Sequence, residues 1–234
     1  MRQTQAAPAP AESDAKLAVR AILRVLILIA LCTAGGLYGY WYAWLFLGLT
    51  LVVLAVNVTV MRLRNPGLLR QRLKPDRPTK KWDRQFMIVG FVASIGIFVV
   101  APLDFFLIHG PNVPLAFVIA GAVLYLGGNG FIAWVMGENP FLERTVRIQE
   151  ERHQVVITTG PYAIVRHPMY TGLLVASAGW PLVLGSWWAF LPVLVMDVAF
   201  VVRTYHEDRT LHDELPGYRE YAQKTRYRLL PGVW

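Results

Sequence analysis

"YTGLLVASAGWPLVLGSWWAFLPVLVMDVAFVV", residues 170–202, decides the fold. Thirty-three residues carry one charge, Asp197. A helix crossing the ~30 Å hydrocarbon core needs ~20 apolar residues. The stretch is too long for one span and is broken at "LGSWW". Two short or tilted helices joined at Gly185-Ser186 fit it, which makes a tight helical hairpin in a membrane. An acid as deep as Asp197 requires a buried partner.

Upstream, further apolar runs cover about 18–36, 40–61, 86–108 and 114–136. With the hairpin they predict an all-α, multi-pass integral membrane protein of about six transmembrane helices. The composition agrees: 55% of the 234 residues are hydrophobic, above what an ordinary soluble domain carries. Residues 1–16, rich in Ala, Pro and polar types, read as a structureless tail and not as a signal peptide. Residues 17–62 form an N-terminal helix pair, 63–85 a basic loop, and 86–234 a functional core. Asp104, near the end of the third run, reads as a helix-end residue.

The net charge of +8 would suggest nucleic acid in a soluble protein. Here Lys and Arg occupy the N-terminal segment, 62–84, 144–166 and the chain from Arg203 onward. The connections near 37–40, 109–113 and 185–187 contain none. With both termini in the cytosol every basic residue falls on one side, as the positive-inside rule requires. Partners are then membrane lipids, and the basic loop also suits anionic headgroups. A single cysteine, Cys32, excludes an intrachain disulfide. The five histidines follow no metal-ligand spacing, and no Walker loop, GxGxxG, HExxH or serine elbow is present. No metal and no nucleic acid are expected.

Two polar constellations flank the hairpin on the cytosolic side. The first is "GPYAIVRHPMYTG", 160–172. Pro168 suits the first position of a helix, so Arg166 and His167 stand at its entrance. Met169, Tyr170 and Thr171 should present free N–H groups there, an arrangement that favours anions. Gly172 permits close packing. On these residues alone two readings stand equally: the lip of a pocket, or a headgroup belt of Tyr and Arg. The second constellation is "VVRTYHEDRTLHDELPGYREY", 201–221, where Arg203 and Glu207 share a helix face. The tail "YAQKTRYRLLPGVW" reads as an interfacial segment packing back on the membrane or, more sharply, as one that folds over a cofactor.

Together these motifs resemble the isoprenylcysteine carboxyl methyltransferase family, with its phospholipid methyltransferase relatives. Gly160, Tyr162, Arg166, His167, Pro168, Tyr170 and Gly172 match the first motif. Arg203, Glu207, Asp208, Leu211, Gly217, Tyr218 and Tyr221 match the second, with Asp208 where the family has a second glutamate. The resemblance covers about 138–234. It implies an enzyme that uses S-adenosylmethionine in a cytosol-facing pocket and methylates a lipid-like or prenylated acceptor entering from the bilayer. The acceptor group it implies is a carboxylate. It assigns cofactor contacts to Gln149, Gln154, Val155, Val156, Ile157, Tyr162, His167, Pro168, Met169, Tyr170 and Glu207. It assigns the acceptor carboxylate to Arg203, and makes Arg203 and Glu207 the catalytic pair.

The residue types suit those roles. A carboxylate and tyrosine faces accommodate a cationic cofactor, and an arginine aligns a carboxylate by paired hydrogen bonds. Two competing readings are an NADPH-dependent membrane sterol reductase and a non-enzymatic scaffold or transporter. The first is disfavoured by Met169 before Tyr170 and Leu173 after Gly172. The second is disfavoured by the lack of repeats or mid-membrane breaks.

Overall fold

The computed structural model describes residues 14–73, 80–110 and 112–234, with side chains left undescribed at 14–18, 20 and 73. Most of the expected N-terminal tail, and residues 74–79 of the basic loop, lie outside the described residues. Among the described residues the chain is helical throughout, with no strand. The long helices are α1 (Asp14–Leu37), α2 (Trp41–Arg64), α4 (Lys81–Leu103), α5 (Leu115–Glu138), α6 (Pro168–Val183) and α7 (Phe190–Glu214). Two short ones, α3 (Pro66–Leu73) and α8 (Tyr218–Lys224), lie between and after them.

Among the described residues three helices are long and apolar enough to cross a membrane: Trp41–Arg64, Leu115–Glu138, and α4 with its continuation to Ile108. The apolar part of α1, Ala21–Leu37, is shorter. So is α6, at 16 residues. Leu31, Phe91, Val123 and Leu194 are each more than half exposed. Apolar surface of that extent on several helices belongs against lipid, where each helix satisfies its own backbone. The protein is an integral membrane protein.

The hairpin forms as the sequence predicts, with α6 and α7 joined through residues 184–189. Gly185 takes φ +68°, and a Cβ there would strike the Tyr42 ring. Ser186 donates to Asp104 at 2.6 Å, and Asp104 also accepts from the Gly110 N–H. Asp104 is thus a helix-end residue, and its buried carboxylate pins the hairpin tip to the end of α4. Asp197 finds its partner within the hairpin: Ser177 donates to it at 2.8 Å.

α5 and α6 make the tightest contact, through glycines spaced seven apart on each. A Cβ at Gly128 would sit 2.7 Å from the Gly172 carbonyl, and one at Gly179 would sit 2.4 Å from the Gly121 carbonyl. Small residues let helix backbones approach where lipid supplies no hydrophobic drive. This contact fixes the height of α6, and hence of its N-terminus, against α5. Around it, Phe46, Ile97, Tyr125, Val183 and Met196 fill the core between α2, α4, α5, α6 and α7.

Neither short helix, α3 or α8, was anticipated. α3 lies in the basic loop, where charge hid a short apolar stripe. Pro66 opens it and Leu68 is fully buried. Asn65 anchors its start by donating to the carbonyls of Met136 and Gly137 at 2.6 and 2.9 Å.

Candidate active site

Pro168 begins α6 as expected, with His167 as the preceding cap residue. The cap carbonyl is itself an acceptor, however. Tyr170 and Thr171 donate their N–H groups to His167 O at 3.1 and 3.3 Å. Two of the three donors expected to be free at the helix entrance are therefore engaged, because the cap carbonyl closes the first turn.

Arg166 is not a headgroup anchor. It is buried, 7% exposed, and grips Asp208 of α7 with both arms, Nε to Oδ1 at 2.8 Å and Nη2 to Oδ2 at 3.0 Å. Asp208 is the hub of the second motif. It also accepts from His167 Nε2 at 3.0 Å, Tyr218 Oη at 2.8 Å and Arg228 Nε at 2.8 Å. Burial alone would raise its carboxyl. The hydrogen bonds from His167, Arg166 and Arg228 outweigh that and hold it well below the usual carboxylate range. Burial and the Asp208 charge together push the Tyr218 phenol up.

The two motifs are therefore interlocked. Tyr221 donates to the Tyr162 carbonyl at 2.7 Å, so the spaced tyrosines of the second motif hold the loop of the first. The tail closes over both. The backbone N–H groups of Arg166 and His167 donate to the carbonyls of Tyr227 and Arg228 at 2.9 Å each, and the Thr171 hydroxyl donates to Leu229 O at 2.8 Å. The tail thus packs on the head of α6.

Behind this frame lies an open cleft whose empty space, with its mouth included, is about 770 Å³. Its walls come from the loop after α5, the start of α6, the C-terminal half of α7, and α8. Every position that the resemblance assigns to the cofactor lines it, from Gln149 to Ile157, from Tyr162 to Tyr170, and Glu207. Arg203 does not. It lines an adjoining chamber of about 610 Å³ with Arg72, Arg144 and Leu173. Tyr170, Glu207, Met169 and Leu142 face both spaces.

Several of these side chains also build the wall. Gln149, 1% exposed, donates to Phe141 O at 2.5 Å and accepts from Arg152 at 2.7 Å. Gln154 Oε1 accepts from the Gln149 N–H at 2.8 Å, which closes the loop on itself. The Tyr162 hydroxyl accepts from Asn139 at 2.7 Å. Glu207 accepts from the Tyr170 hydroxyl at 2.5 Å.

Arg203 pairs with a residue the sequence left unremarked. Its Nε donates to Asp83 at 2.7 Å and its Nη2 to Arg144 O at 2.6 Å. Asp83 is fully buried at the start of α4 and also accepts from the Val146 N–H at 2.9 Å. Its one signal in the sequence was its position, an acid in a basic stretch at the mouth of an apolar run. Arg203 and Glu207 share a helix face as expected, but each turns to another partner.

The residues fit a cofactor such as S-adenosylmethionine in kind. A carboxylate at Glu207 and the tyrosine rings at 162 and 170 line the same cleft, and such groups suit a ligand carrying ammonium and sulfonium charge.

Fold and site together define the class, a helical membrane protein whose loop after α5 and two last long helices enclose a paired cleft. Residues 116–214, from α5 through α7, match the family described as phospholipid methyltransferase. Over 86 residues the chain is 31% identical to Protein-S-isoprenylcysteine O-methyltransferase B of Arabidopsis thaliana, covering 34% of this chain and 41% of that protein. Over 85 residues it is 35% identical to Cobalt-zinc-cadmium resistance protein CzcN of Cupriavidus metallidurans, covering 33% and 37%. The chain thus spans about two fifths of the length of these curated relatives. The resemblance to the isoprenylcysteine and phospholipid methyltransferases holds on these findings.

Proposed function

We propose that the protein transfers a methyl group from S-adenosylmethionine to a hydrophobic acceptor held in the membrane, with a carboxylate as the accepting group. One observation carries the reading. Positions from three separate segments, all assigned to one cofactor, line one cleft, and the residue assigned to the acceptor lines the chamber beside it. The chemistry such a cofactor supplies is an electrophilic methyl group on a sulfonium sulfur.

The chain's own residues then position and shield. Glu207 offers negative charge to the cofactor cation, with Tyr170 orienting the carboxylate. Tyr162, His167, Pro168 and Met169 shape one wall, and the 149–157 loop shapes the other. Arg203, held by Asp83, presents its guanidinium to the acceptor from the second chamber. Methyl transfer to a carboxylate is an in-line displacement that needs no strong base. Alignment and exclusion of water carry it.

The topology belonging to this reading has about six membrane-crossing helices, with α6 and α7 as a short hairpin. Both termini and the cleft face the cytosol, where a soluble cofactor has access. The helix pair within 17–62 is an attachment to a methyltransferase core at 86–234. The distribution of Lys and Arg supports that orientation.

Titration of detergent-purified protein with S-adenosylmethionine, S-adenosylhomocysteine and NADPH tests the reading. Saturable binding of the first two, with none of NADPH, is expected. Binding of NADPH alone overturns it. Assays against lipid extracts, with mass analysis of the product, then identify the methylated atom.

A further inference from the structure

The second chamber holds more positive charge than the acceptor role of Arg203 uses. Three arginines are linked around it in sequence. Arg203 Nη2 donates to Arg144 O at 2.6 Å, and Arg144 Nη2 donates to Arg72 O at 3.1 Å. All three line the chamber. Two carboxylates also line it, and both have other partners. Glu143 accepts from Arg147 at 2.7 and 2.8 Å, and Glu207 accepts from Tyr170. Arg203 has Asp83.

Arg72 differs. Its Nε is buried with no hydrogen-bond partner. Burial, with the Arg144 charge beside it, brings the guanidinium down to about 10. A buried donor without a partner is costly, and a buried cation without an anion more so. The opposite wall is apolar, from Leu142, Met169 and Leu173.

We propose that Arg72 is an anion-receiving side chain of the second chamber, which therefore selects amphiphiles that carry a negatively charged head on an apolar body. The inference rests on the reading of this chamber as the acceptor's. It adds a specificity residue from α3, outside residues 116–214 where the family match lies. The head group is a carboxylate or a phosphate, since both supply the acceptor oxygens that a guanidinium fork takes.

The test is a binding comparison on the full chain in detergent, with two matched probe pairs. One pair is N-acetyl-S-farnesylcysteine and its methyl ester. The other is dioleoyl phosphatidate and dioleoylglycerol. The expected result is at least a tenfold preference for the charged member of one pair, and that pair names the head group. Arg72→Gln should reduce the preference at least threefold, Arg203 keeping the remainder, and Arg72→Lys should restore most of it. S-adenosylhomocysteine binding should be the same in all three proteins, which also shows that the variants fold. Equal binding within both pairs by the native chain, or a preference unchanged by Arg72→Gln, overturns the proposal. Failure of S-adenosylhomocysteine to bind the native chain instead overturns the cofactor reading, while the probe pairs still report on Arg72.

Discussion

The Tyr170 hydroxyl donates to Glu207 Oε2 at 2.5 Å, which ties the first turn of α6 to α7 where the two chambers meet. The Arg203 guanidinium lies 5.5 Å from the same tyrosine ring. One side chain therefore touches both the group assigned to the cofactor and the group assigned to the acceptor. Hydrogen bonds to a charged partner contribute ~1.5–3 kcal/mol. Glu207→Gln keeps an acceptor for the tyrosine but removes the charge, so S-adenosylhomocysteine should bind roughly ten- to a hundredfold more weakly by calorimetry. Tyr170→Phe frees Glu207 to reorient and should weaken binding by less.

Asp83 and Arg203 form a pair whose members are 120 residues apart in sequence. Removing one partner of a buried pair leaves an uncompensated charge, at a cost of ~3–5 kcal/mol. Asp83→Asn and Arg203→Gln should each lower the melting temperature. The double variant should melt well above the additive expectation, as contacting residues do in a mutant cycle. Simple additivity would show that the pair is not energetically coupled. Arg203→Ala should abolish turnover while leaving S-adenosylhomocysteine binding intact.

Asp208 makes stability depend on pH in a defined direction. Its carboxyl is depressed in the folded protein, against about 3.9 for an unperturbed aspartate. The stabilisation is then fully present above about pH 5 and is lost as pH falls through the folded value. Asp208→Asn leaves Arg166 and His167 facing a neutral group and should cost ~3–5 kcal/mol near pH 7. Melting curves from about pH 7 down to pH 3 should show the native chain and the variant converging on acidification. A constant gap across that range would assign the effect to shape and not to charge.

The α5–α6 contact gives a prediction with an internal control. Gly128→Ala and Gly172→Ala place a methyl group against backbone, at 2.5 Å from Ala176 N and 3.0 Å from Gly128 O. Overpacking of this kind costs ~1–3 kcal/mol. Gly127→Ala meets nothing within 4 Å and should be neutral or slightly stabilising, since alanine is the better helix former. Equal melting temperatures for all three would remove the glycine contact as the determinant of helix spacing.

The long helices and the hairpin were legible because apolar length and a Gly-Ser break are local signals. The positions assigned to the cofactor, drawn from the first motif, Glu207 and the 149–157 segment, fall on one cleft. What stayed hidden was pairing across sequence distance. The anchoring role of Arg166 stayed open because nothing local shows that Asp208 lies opposite it. Arg203 read as a partner of Glu207 because a shared helix face was visible and Asp83 was not. α3 stayed hidden because four residues of apolar stripe were outweighed by its arginines. These cases have one cause: a charged side chain declares its chemistry in the sequence, but only the packed helices declare its partner.

The tail from Arg226 onward supplies contacts that no other segment replaces. Arg166 Nη1 donates to Arg226 O at 2.7 Å, the N–H groups of Arg166 and His167 donate to Tyr227 O and Arg228 O, and Arg228 reaches Asp208. A chain ending at Thr225 leaves buried donors at the head of α6 without acceptors, each worth ~1–3 kcal/mol. Those donors sit beside Pro168 and Met169 in the cleft wall, so the loss should appear as weakened ligand binding before it appears as unfolding. S-adenosylhomocysteine affinity should fall at least tenfold in the truncated chain. Arg228→Ala alone should cost less, because that side chain is partly solvated, 28% exposed, and Arg166 still holds Asp208. Full affinity in the truncated chain would make the tail a cover over a frame that stands without it.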